Sequence, residues 1–537
     1  MKQQWILAAA TLGFLPVIAT AQYPQVPGAV QSVTDARKAA ADRASDAAFK
    51  AAQPAIEADA ARGKPYIPWA KNPGDLPQAT IPAFPGAQGG GMHSFGGRGG
   101  KVFVVTSLAD SGPGTLREAC EAGGARVVVF NVSGIIKLHD KIRVRAPYIT
   151  IAGNTAPGDG VCVAGNTFEL DTHDVIIRHM RFRRGEMDVT DRNDSIGGNP
   201  IGNIMIDHVS ASWGLDENMS MYRHMYSPPD GSKDLKLPTV NITIQNSIFS
   251  ECLNTFNHAF GSTIGGYNST FIRNLWACNT GRNPSIGMNG DFGMFNNVVF
   301  NWVHRTTDGG DNLSYYNIIN NYWKPGPATP DSPVAHRFLK PEAQRGKDKE
   351  KTFGKAYVNG NVNEAHPDVT ADNWNGGVQL DGAYDANVIL PNVRVNEPFP
   401  HAPATIVSAK AAYPYVLDHA GATLPKRDPV DERIVKMVRT GEVTYGNGII
   451  TDPVQVGGYP AYSGTPYADA DKDGMPDDYE TAHGLNPNDA SDAAKDSNGD
   501  GYTNIEKFIY RIDPSKKLDY TKAENNISTT DKPLPGN

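Results

Sequence analysis

NIMIDHVS at residues 203–210 and NITIQNSIF at residues 241–249 decide the fold. Each is a short apolar run, too short for a helix, broken by Asn, His or Ser where a strand must turn. The same kind of segment recurs as VVVFNVSG (127–134), YITIAGNT (148–155), VIIRHMRF (175–182), FIRNLWA (271–277), FNNVVFNW (295–302) and YYNIINNYW (315–323). Aligning His179, His208, Asn246, Asn274, Asn297 and Asn321 gives steps of 29, 38, 28, 23 and 24 residues. One strand-rich coil cannot bury its apolar side alone, but stacked coils form parallel sheets around a continuous interior. The expected fold is all-β, a right-handed parallel β-helix with long loops. The longest step marks an insertion, including SPPDGSKDLKLP at 227–238, expected to wall a groove.

Composition agrees with a large, turn-rich core: 537 residues, 39% hydrophobic, 55 Gly and 39 Pro. Residues 1–21 read as a secretory signal, with Lys2, an apolar run from Trp5 to Ile18 and an Ala19-Thr20-Ala21 end. The run is too short to span a membrane, so a secreted, extracellular or periplasmic protein is expected. Cys120, Cys162, Cys252 and Cys278 allow one or two disulfides or buried thiols. A net charge of -8 argues against nucleic-acid binding. It does not exclude an acidic substrate, because a local cluster of Arg178, Arg181, Arg183, Arg184, Arg273, Arg282 and Arg305 can override the average. Residues 22–80 read as an Ala-rich helix or linker, 81–460 as the β-helix and 461–537 as a calcium-binding tail; a monomer is expected.

The stretch NDSIGGNPIGNIMIDHVSASWGLDEN (193–218) sets Asp194 before one strand, and Asp216 and Glu217 after it. If the chain coils back, three carboxylates converge, and hard oxygens without Cys suit Ca2+. This region resembles polysaccharide lyase family 1, the pectate lyases, in the secreted bacterial form with an EF-hand-like tail. AFPGAQGGG (83–91), GGRGGKVFVVTSLADSGPGTLREAC (96–120) and NTGRNPSIG (279–287) resemble it too. The resemblance implies that Asp194, Asp216 and Glu217 hold calcium and that Arg282, the first Arg of an R-x-P-R element, takes a proton from substrate. It implies substrate contacts at His258, Arg305 and Lys324. Ser212, Phe260 and Ser285 stand where the family has an acid, a lysine and a second Arg. The implied reaction is β-elimination on polygalacturonate, an acidic plant polysaccharide, giving 4,5-unsaturated oligogalacturonides. Two other readings fit the residues: a β-helical pectin or rhamnogalacturonan hydrolase using two carboxylates, and a non-catalytic polysaccharide-binding solenoid.

The tail carries its own pattern. Asp469, Asp471, Asp473, Asp477 and Glu480 stand at positions 1, 3, 5, 9 and 12 of an EF-hand loop, with Gly474 at 6. Asp496, Asn498 and Asp500 begin a second copy, with Gly501 at 6 and Glu506 at 11. Both are expected to bind structural calcium.

Overall fold

The computed structural model describes residues 27–288, 290–343, 352–380 and 386–535; the signal-like segment at 1–21 lies outside them. Successive strands from Lys101–Val105 to Val362–Asn363 wind through three parallel sheets of ten, nine and eight strands. Between the terminal turns each coil contributes in turn to each sheet, so neighbours in a sheet come from successive coils, as in a right-handed parallel β-helix. The interior is packed with Ile, Val, Leu, Met, Phe and Trp, among them Ile177, Ile206, Ile244, Phe271 and Trp276, all fully buried. Each such side chain contributes about 1.5–3 kcal/mol on burial.

Register corrects the alignment of the repeat. Asp207 pairs with Gln245 and Gln245 with Ile272, so Asn246 is matched by Arg273, and then by Asn296 and Asn320. His179, His208, Asn246, Arg273, Asn296 and Asn320 all have φ of 50–56°, the left-handed turn that ends a strand. Asn274, Asn297 and Asn321 are the next residue along and do a different job. Asn274 donates its backbone N–H to Asn297 Oδ1 (2.8 Å), Asn297 to Asn321 (2.8 Å), Asn321 to Asn361 (2.9 Å) and Asn361 to Asn373 (2.9 Å). This ladder satisfies buried amides coil after coil, at about 1 kcal/mol each.

Two sheets are covered on their outer faces. Val127, Val129, Ile176 and Met205 of the ten-stranded sheet pack against Ile81, Phe84 and tail residues Met475, Tyr502 and Tyr510. Ile248, Leu275 and Val298 of the nine-stranded sheet pack against helices Ala409–His419 and Pro429–Thr440 through Val416, Leu417, Ile434 and Val438. The expected short helix at 433–443 falls within the second of these. The eight-stranded sheet turns Ile196, Met219, Ile264 and Ile286 inward. Its outward row is polar or small: Glu169 opposite Gly197, and Ser220 opposite Thr263, which faces Ser285.

The Ala-rich segment forms helix Gly28–Ala61, as its composition favours. Ion pairs hold it to the first coils: Lys141 with Asp42 (3.0 Å), Lys38 with Asp191 (2.9 Å) and Arg37 with Asp188. All four cysteines are buried free thiols.

Candidate active site and calcium sites

A cavity of about 410 Å³ lies along the polar face of the eight-stranded sheet. Its floor is built from residues at the starts of consecutive strands. Asp194 precedes Ile196–Gly198, Asp216 precedes and Glu217 opens Glu217–Met221, and Arg282 precedes Ser285–Ile286, while Phe260, outside the cavity lining, opens the intervening Phe260–Ile264. Parallel pairing sets Glu217 opposite Phe260, which bridges to Gly281, the neighbour of Arg282. Acids far apart in sequence thus become a row whose strands are about 4.8 Å apart.

Asp194, Asp216 and Glu217 present oxygens within 4.8 Å of one another. Asp194 Oδ1 accepts the Glu217 N–H at 3.0 Å. Burial, then the Glu217 and Asp216 charges, push the Asp194 carboxyl well above its ordinary pKa. Burial tends to raise Asp216 too, but His258 beside it, with Arg192 and Arg282, holds it lower. Three crowded carboxylates with hard oxygens fit a divalent cation, which would relieve their repulsion. Gly197 allows the crowding: a Cβ there would lie 2.9 Å from Asp194 Oδ2 and 3.2 Å from the Ser220 carbonyl oxygen.

Arg282 reaches Glu217 Oε1 and stands 4.5 Å above the Phe260 ring. Burial works to lower its pKa, but the Glu217 and Asp216 charges raise it above its ordinary value. Arg305 approaches the same ring at 4.6 Å and pairs with Asp308 at 3.3 Å.

Several sequence expectations change. His258 is buried, with Nε2 2.5 Å from Asp216 Oδ1, so the structure turns it to an acid of the cluster. Lys324 ends a strand of the nine-stranded sheet, around the coil from the groove, and pairs with Glu364 at 3.3 Å. Ser212 lies on that same sheet and receives a hydrogen bond from Arg183, so Glu217 completes the acid cluster. The early arginines are internal braces: Arg178 binds Asp207 (2.7 Å), Arg183 binds Asp428 and Asp431 (2.8 and 2.9 Å), and Arg181 and Arg184 donate to backbone carbonyls. Arg273 likewise donates to Asn246. The cations that line the groove with Arg282 are Lys38, Arg192 and Arg223, in no recognisable motif. Tyr222 and Arg223 also line it, and Arg223 starts the hairpin Arg223–Tyr226/Leu235–Pro238 formed by the insertion.

The first tail loop closes on a cluster that the spacing only half revealed. Asp469, Asp471 and Asp473 converge, and Asp473 meets Glu480 and Asp492. Asp471 Oδ2, Asp473 Oδ2, both Glu480 oxygens and Asp492 Oδ1 are buried without hydrogen-bond partners, as a cation's ligands would be. Burial, then the neighbouring acids, push Glu480 up to about 8; Asp473 rises to about 7, chiefly by burial. Asp477 is instead turned to the Ala470 N–H (2.8 Å), and Asp492 supplies the remaining acid. The second loop differs from expectation: the Lys507 ammonium lies against Asp496 (3.0 Å) and Asp500 (3.1 Å). Asn498 Nδ2 points away, to the Pro514 and Lys516 carbonyls.

No protein-family model matches the sequence. It is similar to probable pectate lyase C of Aspergillus fumigatus, 36% identical over 447 residues, covering 81% of this chain and 95% of that protein. The corresponding protein of Emericella nidulans is 34% identical over 443 residues, covering 80% and 93%. Both relatives are fungal. Among solved structures, the cedar pollen allergen jun a 1 is 17% identical with a TM-score of 0.41 over 62% of this chain and 92% of that one.

Proposed function

The chain belongs to the pectate lyases of polysaccharide lyase family 1, and from that premise we propose that it cleaves pectate in the groove of the eight-stranded sheet, with Arg282 as base. It is a polysaccharide lyase acting on pectate. The observation that carries the placement is the row of Asp194, Asp216, Glu217 and Arg282 near strand starts along the polar face of the eight-stranded sheet.

In a galacturonate unit the C5 hydrogen lies beside a carboxylate, and the C4 oxygen carries the next sugar. Removing that hydrogen expels the chain from C4 and leaves a 4,5 double bond. The barrier is the very weak acidity of C5–H next to an ionised carboxylate. Asp194, Asp216 and Glu217 would hold Ca2+, which supplies the positive charge that neutralises the substrate carboxylate. Arg192, Arg223 and Lys38 offer cations to the uronates on either side. Phe260 replaces a cation with a flat apolar surface between Arg282 and Arg305.

Arg282 acts as a base only when it is briefly neutral, and Glu217 opposes that while the two are paired. On this reading Glu217 leaves Arg282 as substrate binds. His258 keeps Asp216 oriented through this change.

We assign export to residues 1–21, and the protein's place to outside the cell. No helix among the described residues is long and apolar enough to cross a membrane. The test is the calcium requirement: Asp216→Asn should raise the calcium needed for half-maximal turnover on polygalacturonate by about tenfold, or 1.4 kcal/mol. An unchanged requirement would remove Asp216 from the metal site.

A further inference from the structure

The two tail loops share one backbone design but differ at position 12. In the first, that position is Glu480, on the opening turn of helix Asp477–His483. In the second it is Lys507, on the opening turn of helix Asn504–Tyr510. In an EF-hand this residue aims a bidentate carboxylate at an ion already held by positions 1, 3 and 5 and the position 7 carbonyl. Lys507 aims an ammonium at the same point.

The ammonium is fully buried and saturated. Its three N–H groups meet three oxygens: Asp496 Oδ1 at 3.0 Å (position 1), Asp500 Oδ1 at 3.1 Å (position 5) and the carbonyl of Tyr502 (position 7). Asp496 is further fixed by the Gly499 and Gly501 N–H groups (2.9 and 2.8 Å). Asp500 Oδ2 is the one buried acid oxygen of this loop left without a partner; the first loop and Asp492 leave five. Glu506, displaced by one residue from the ligand position, pairs with Arg98 at 2.8 Å. Tyr502 donates its hydroxyl to the Pro82 carbonyl at 2.9 Å. The second loop is thereby tied to the β-helix by contacts that involve no ion.

We propose that the C-terminal segment takes one divalent cation, at Asp469, Asp471, Asp473, Glu480 and Asp492, and that Lys507 is the permanent internal cation of the second loop. The proposal rests on the calcium reading of the first loop. It goes further in adding Asp492 as a ligand and in denying the second loop a metal. A divalent ion entering that loop would have to share its ligands with a buried ammonium, which like-charge repulsion forbids. The lysine supplies the neutralisation that calcium supplies in the first loop, at any calcium concentration. The tail then has one calcium-dependent half and one calcium-independent half, the second keeping it docked when calcium is scarce.

Calcium stoichiometry of the full chain, measured by titration calorimetry on metal-stripped protein, tests this. Glu480→Gln should bind one ion fewer than the native chain, and Asp492→Asn should bind that ion at least tenfold more weakly. Asp500→Asn should leave the count unchanged, and Lys507→Glu, which restores position 12, should add one ion. A native count that falls by one in Asp500→Asn would overturn the role of Lys507. A count unmoved by Glu480→Gln would overturn the one-ion tail through failure of the first-loop reading, a separate result. Should Lys507→Glu not fold, hydrogen exchange of the native chain in chelator decides. Amides around Asp473 and Gly474 should exchange at least tenfold faster than with calcium, while those of Gly499, Asp500 and Gly501 change less than twofold. Equal acceleration of both loops would contradict the proposal.

Discussion

Gly197→Ala is the smallest change that addresses the acid cluster. Gly197 needs no left-handed backbone, so alanine adds one methyl without conformational strain. That methyl would lie 2.9 Å from Asp194 Oδ2, against about 3.4 Å for ordinary contact, so roughly 0.5 Å must be found. The other near neighbour, the Ser220 carbonyl at 3.2 Å, belongs to the sheet ladder, so the Asp194 side chain gives way. Calcium–oxygen bonds span about 2.3–2.6 Å, and a ligand displaced by a fifth of that length holds its ion poorly. We expect the calcium concentration for half-maximal turnover to rise about tenfold, or 1.4 kcal/mol. Turnover at saturating calcium should fall less than threefold, with the melting temperature within a few degrees of native. The assay is a calcium titration of lyase rate on polygalacturonate beside a thermal melt. A native calcium midpoint in a folded Gly197→Ala protein would refute the placement of Asp194 at the metal.

Other outcomes follow from the same geometry. Arg282→Ala and Arg282→Lys should each lose about 10²- to 10⁴-fold in kcat with KM little changed, as for loss of a general base; a Lys variant of near-native rate would make Arg282 a carboxylate clamp. Asp473→Ala should lower the melting temperature in calcium while sparing turnover of folded protein, and abolished turnover would join the tail to catalysis. His208 is stacked on His179 and lies between Asp207 (2.9 Å) and tail residue Asp531 (3.2 Å). Burial works against its protonation, but those carboxylates lift its pKa to about 9 from 6.5. The folded pKa is the higher one, so this contribution, about 3 kcal/mol at most, is complete below pH 6.5 and lost as pH rises through 9. Denaturant unfolding from pH 6 to 10 should show that loss in the native chain and not in His208→Gln; identical slopes would exclude it.

The repeating strands were legible because apolar runs punctuated by Asn are what a stacked coil demands. Their register was not, because later coils carry Asn at both the corner and the ladder position, as in Asn296-Asn297 and Asn320-Asn321. The alignment therefore slid by one residue between Asn246 and Asn274. The convergence of Asp194, Asp216, Glu217 and Arg282 on one groove follows the local motifs and the resemblance that these carry. Arg181 and Arg183 were misread as groove cations since their partners, such as Asp428, lie 245 residues from Arg183. Lys38, Arg192 and Arg223 reach the groove from a helix, a loop and a hairpin, with no common spacing to betray them. Asp492 lies between two recognisable loops, and Lys507 falls outside a pattern of ligand types because it is itself the cation.

The most direct test of the account is the ultraviolet absorbance of the 4,5-unsaturated product when metal-stripped protein meets polygalacturonate, with calcium returned and then chelated. Absorbance should rise only with calcium, stop on chelation, and rise about 10²- to 10⁴-fold more slowly for Arg282→Ala at any calcium concentration. Reducing ends without that absorbance, or an undiminished rate in chelator, would contradict a calcium-assisted elimination in this groove.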